Sequence, residues 1–129
     1  MSWTSLLHNP EGITSVYQGN PPDLVGVHLH EAVLRTDGPT LTLRLDLARY
    51  PEQPPLKWAV QRFNTTQVEI SFSGIREIVI EGFGADIRAN VSMASDNGVT
   101  LDVMSSQARI RAVADAAFIS KLTAYANEV

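Results

Sequence analysis

Thr40-Leu41-Thr42-Leu43-Arg44-Leu45-Asp46-Leu47 carries the clearest periodic pattern in the chain. Four leucines alternate with polar or charged residues. In an extended chain alternate side chains point to opposite sides, so the leucines line one face. A helix would scatter them around its axis. The stretch therefore reads as a strand with one face in a core and the other in water. That is the pattern of an antiparallel sheet, not of a parallel sheet covered on both sides.

The same period of two recurs on either side. Leu24 to Arg35 is strand-like, and Asp37-Gly38-Pro39 supplies the turn into the leucines. Downstream, Val68, Ile70 and Phe72 alternate with polar residues, and Ile78 and Ile80 make a short run after Gly74. Ile87, Ala89, Val91 and Met93 follow, then Asp96-Asn97-Gly98, then Val99, Leu101 and Val103, then Ile110 and Ala112. Asn-Gly tolerates the positive φ values of a tight hairpin turn. Between the leucines and Val68, the segment from Arg49 to Trp58 carries three prolines and reads as an extended, polyproline-like loop. Residues 115–127 fit two patterns. Phe118, Leu122 and Tyr125 suit a helix, whereas Ser120, Leu122 and Ala124 alternate; the succession of strands favours a closing strand.

The first twenty residues have a different period. Trp3, Leu6 and Leu7 fall on one helical face behind Ser2 as cap. Asn9-Pro10-Glu11 reads as a second helix start, with Ile13, Val16 and Tyr17 on its apolar face. Gly19 and Asn20-Pro21-Pro22 end it. The reading is one α+β domain over 1–129. A helical segment, 1–20, precedes a β-rich body, 24–125, of seven or eight mostly antiparallel strands curled into a sandwich or half-barrel. The helices should cover an open end or face of the sheet.

Composition narrows the function. The chain has 129 residues, 44% hydrophobic and 19% charged, with a net charge of −4 and no cysteine. Disulfides, thiolate metal sites and cysteine nucleophiles are excluded. An acidic chain without a basic tract is a poor nucleic-acid binder. No signal-like or membrane-spanning apolar run occurs, so a cytoplasmic protein is expected.

Chemistry-bearing patterns are sparse. His28 and His30 are two apart on a strand and share a face, as metal ligands can. No second pair of suitable residues accompanies them, so two histidines on the wetter face of a strand is the favoured reading and no metal is expected. No serine lies in a nucleophile motif. Glu77 with Glu81, or Asp86 with Asp96, read more simply as solvated strand faces than as acid–base pairs. Glu81-Gly82-Phe83-Gly84-Ala85-Asp86 reads as a turn rather than a phosphate loop, because a strand follows it. No catalytic residue or cofactor is expected, and the chain reads as a binding module rather than an enzyme.

Several pieces together resemble a known family. They are Ser2-Trp3, Leu6-Leu7-His8-Asn9-Pro10, Ile13 and Tyr17, Val27-His28-Leu29-His30-Glu31, Asp37-Gly38-Pro39, Pro51 through Trp58, Asn64 through Phe72, and Ser120-Lys121-Leu122-Thr123-Ala124-Tyr125. Taken as a whole the chain resembles the immunity protein 50 family of bacterial polymorphic toxin systems. That resemblance implies a cytoplasmic, non-enzymatic protein whose partner is a cognate toxin domain. It supplies no catalytic residues. The shared Trp3, Asn9, Asp37, Gly38, Pro55 and Trp58 read as cap, turn and core. For contact with a basic toxin surface the candidates are the acids Asp37, Glu52, Asp86 and Asp96, with Trp58 and Phe83 as apolar anchors. The alternative is a small β-rich ligand-binding or accessory domain with no toxin partner; a metal-dependent enzyme using His28 and His30 ranks third. A deep closed apolar cavity would favour a small ligand, whereas a filled core with a charged groove would favour a protein partner. An exposed edge strand would make a homodimer easy to form.

Overall fold

Eight strands carry the alternating segments: β1 (Val27–Arg35), β2 (Thr40–Asp46), β3 (Thr65–Ser73), β4 (Glu77–Glu81), β5 (Ile87–Ser95), β6 (Val99–Met104), β7 (Arg109–Ala114) and β8 (Ala116–Tyr125). The computed structural model describes residues 2–127; Met1, Glu128 and Val129, the extremities of the expected 1–129 domain, lie outside the described residues. Every neighbouring pair of strands is antiparallel, in the order β4-β7-β6-β5-β1-β2-β3-β8. Leu41, Leu43 and Leu45 are fully buried, and Val68, Ile70 and Phe72 face the same core from β3. The sandwich or half-barrel expected from the alternation is therefore present. Residues 116–125 close it as a strand, because pairing along the whole of β3 overrides the helical propensity of the local alanines.

This sheet cannot be flat. β3 and β4 stand six places apart in the strand order, as do β7 and β8. At about 4.8 Å per strand that separation would be about 29 Å. Yet β3 reaches β4 through Gly74, Ile75 and Arg76, and β7 reaches β8 through Asp115 alone. At about 3.8 Å per residue step these links span at most about 15 Å and 8 Å. The sheet must roll until its two ends meet. One half is β8-β3-β2-β1 and the other β5-β6-β7-β4. They join at a short seam where Val27, His28 and Leu29 pair with Ala89, Arg88 and Ile87. Between them lies one core, including Leu43, Phe72, Ile87, Leu101, Val103 and Ile110.

The corner where the two ends meet is tightly tied. Arg76 donates from Nε to Asp115 Oδ1 at 2.8 Å and from Nη1 to the Asn97 carbonyl at 2.6 Å. The Ile75 amide donates to the Pro39 carbonyl at 3.1 Å. Asn97 and Gly98 both have positive φ, 53° and 120°, as the Asn-Gly turn requires.

The N-terminal segment spans the two halves. A 3-10 helix, Trp3–Leu6, packs beside β5, and Leu7 bridges to Ala117 of β8. Helix α1 (Glu11–Val16) follows, with Ile13 fully buried. Asn9, read from the sequence as its cap, does something else. Pro10 occupies the cap position without a side-chain bond. The Asn9 amide instead donates to the Ile119 carbonyl and accepts from the Ile119 amide, each at 2.9 Å. It thus satisfies the backbone of β8 where a β-bulge at Ser120 interrupts pairing with β3. The proline-rich loop also departs from expectation. After Pro51–Pro55 the chain forms a helical turn, α2 (Leu56–Val60), because the Pro55 carbonyl accepts from the amides of Trp58 and Ala59.

Two glycines with positive φ separate backbone strain from crowding. At Gly19 a Cβ would meet open space, whereas at Gly98 it would run into the Ala114 carbonyl oxygen. Gly19→Ala should cost about 1 kcal/mol, and Gly98→Ala about 1 kcal/mol or more beyond that. Urea denaturation of both variants measures the difference; equal losses would mean the corner yields.

Candidate functional site

On the outward face of β1 and β2 a group of polar side chains surrounds one buried carboxylate. Asp46 is only 5% exposed although it belongs to the polar face of the leucine strand. His30 Nε2 lies 2.7 Å from its Oδ2, Gln67 Nε2 donates to its Oδ1 at 2.9 Å, and the Tyr125 hydroxyl donates to Oδ2. Three neighbouring strands thus contribute to one acceptor. Burial by itself would raise the Asp46 carboxyl; the hydrogen bonds from Tyr125, His30 and Gln67 outweigh it and hold the group below its ordinary value of 3.8. Burial and the bond to Asp46 push the Tyr125 phenol up to about 12, so it stays a donor.

His28 lies against His30, with ring centroids 4.0 Å apart. Its Nε2 is 3.1 Å from Asp86 Oδ1. Burial first, then the charges of His30 and Arg88, lower its pKa from the ordinary 6.5, against the pull of Asp86 and Asp46. A backbone irregularity creates this arrangement. The β1–β2 register shifts between Leu29 and Glu31, leaving His30 as an extra residue in a β-bulge. Beyond the bulge Ala32 stands opposite Leu43; before it Leu29 stands opposite Leu45 and His28 opposite Asp46. Without the shift His30 would face Leu45 and Leu29 would face Asp46, which would turn the histidines into the core. The bulge keeps both histidines out and brings them to Asp46.

The structure disperses the residues read from the sequence as partner contacts. Asp37 and Asp96 lie in the turns at the tied corner. Asp86 joins the histidine group, so Asp86 and Asp96 stand at opposite ends of β5, about 30 Å apart at about 3.3 Å per residue. Glu52 and Trp58 belong to the β2–β3 connection, at the other end of β2 from Asp37. Trp58 is half-buried against Tyr50, the ring centroids 6.2 Å apart. Phe83 is 56% exposed on the β4–β5 connection. Sequence reasoning passed over Leu56 and Val60, the most exposed large apolar side chains among the described residues, at 79% and 72%. They stand four apart on α2, which buries none of its residues. Asp46, Gln67 and Tyr125 were also missed, because only strand pairing brings them together. A depression of about 540 Å3 lies on the outer face of β4, β5, β6 and β7, lined by Glu77, Val79, Asp102 and Arg111. It is a surface feature; core side chains fill the space between the two halves.

Tyr125→Phe should cost about 1–3 kcal/mol at neutral pH, since it removes a hydrogen bond to a buried charge. The loss has a definite pH dependence. A carboxyl whose folded pKa lies below its unfolded value adds stability above the unfolded value, and that stability disappears as pH falls through the folded one. The gap between variant and parent should therefore hold at neutral pH and close as pH falls below about 4. Denaturation midpoints across that range would refute this if the gap stayed constant.

Comparison with known proteins gives one match. The family model for Immunity protein 50 matches residues 9–125, nearly the whole described chain. No curated protein matches, and no solved structure does. The matched span runs from Asn9, which braces β8, to Tyr125, which bonds Asp46, and so takes in all eight strands. The chain belongs to the immunity protein 50 family.

Proposed function

We propose that this protein binds a cognate toxin domain and neutralises it by covering its surface, acting in the cytoplasm and catalysing nothing. The observation that carries the reading is the family match across residues 9–125. Surface anatomy supports it. Leu56 and Val60 form an apolar ridge on a helix that buries nothing within its own chain. Contiguous exposed apolar side chains of this kind are usual at interaction sites. Lys57 flanks Leu56 in the chain, and Trp58, on the other side of the same helical turn, rests on Tyr50. A desolvated apolar centre with a charged rim is how protein interfaces are commonly built. A net charge of −4 adds long-range attraction toward a basic partner.

The test is co-expression with the toxin domain encoded beside the gene, scored by growth and by a co-purifying complex. Native protein should rescue growth. The double variant Leu56→Asp, Val60→Asp should bind at least about 100-fold more weakly, the scale of losing hot-spot contacts. Its stability should stay within about 0.5 kcal/mol of native, as for exposed positions. Failure of the native protein to rescue would overturn the function. Full rescue by the double variant would instead place the contact elsewhere.

A further inference from the structure

We infer that His28, His30 and Asp46 form a binding site for a divalent cation of the zinc class. One ligand atom from each residue lies within 4.8 Å of the others. In a zinc site the metal–ligand distances are about 2.0–2.2 Å, so ligand atoms stand about 3–3.5 Å apart. Side-chain torsions suffice to close that difference, and His30 Nε2 already lies 2.7 Å from Asp46 Oδ2.

Three features make this more than a chance cluster. The ligands come from paired strands, with His28 directly opposite Asp46, so the backbone holds them in place. The β-bulge at His30 sets the second imidazole beside the first, and bulges of this kind re-aim side chains next to functional sites. The ligands also have outer partners. Gln67 and Tyr125 orient the Asp46 carboxylate, and Asp86 Oδ1, 3.1 Å from His28 Nε2, stands behind that ring when it ligates through Nδ1. Hydrogen bonds behind the ligands are a regular part of metal sites, where they fix ring and carboxylate orientation.

The donor set selects the metal. Two imidazoles and one carboxylate suit zinc and its transition-metal neighbours, while magnesium and calcium prefer all-oxygen shells. His30 is exposed and His28 half-buried, so a solvated ion can reach the site from the open face. Three protein ligands leave a coordination position free for water or for a side chain of a bound macromolecule. The site stands independently of the toxin reading, since its ligands lie on the strands and not on the apolar ridge.

Calorimetric titration of untagged, chelator-stripped protein with Zn2+ tests the inference, with thermal melts run in parallel. One equivalent should bind with a rise in Tm, and Mg2+ and Ca2+ should produce neither effect. His28→Gln and His30→Gln should each weaken binding at least tenfold, Gln67→Leu should weaken it about tenfold through the outer contact, and His8→Gln should leave it unchanged. The two histidine variants carry the test should Asp46→Asn fail to fold. No saturable uptake, or uptake that survives both histidine changes, would overturn the site.

Discussion

The short links at the Gly74 and Asp115 corner govern this molecule. One residue between β7 and β8, and three between β3 and β4, must join strands that stand six places apart in the sheet. Only a rolled sheet satisfies both, and rolling turns the alternating segments, except the largely exposed β4, into walls of a shared core. The leucines of β2 then meet apolar side chains from β5, β6 and β7 that they would never reach in a flat sheet. Arg76 holds the corner by reaching both Asp115 and the Asn97 carbonyl.

The polar cluster follows from the same geometry. The two halves are joined by only three residue pairs at the seam, and the β-bulge comes immediately after it, at His30. A bulge increases local twist, which suits the point where β1 leaves β5 and continues with β2 alone. The bulge also changes which residues of β1 face inward. The site is thus a by-product of how the sheet bends, and its chemistry comes from residues on four strands and one turn. Asp46 bears the cost of burial and is compensated by three hydrogen bonds, the condition under which a carboxylate stays ionised away from water.

Much of this was legible in the sequence. The strands announced themselves by period two, the N-terminal helices by period 3.6, and the Asn97-Gly98 turn by its residue types. The bulge left no such trace, because Ala32, Val33 and Leu34 are all apolar and fit either parity. Trp58 and the proline-rich segment were harder. A single helical turn opened by Pro55 lies below the length at which periodicity can be recognised. Asn9 misled because its preference for capping is local, while its actual partner is Ile119, at the far end of the chain.

Residue order was enough to give most of the core-facing positions, the main turns and the family pattern. Those are local properties, written in alternation and turn chemistry over a few residues at a time. Which strands lie side by side emerged from the folded sheet, and with it the meeting of Asp46 and Tyr125 with His30 and the separation of Asp86 from Asp96. Strand order is set by which roll of the sheet buries all the apolar faces at once, and no single segment carries that information.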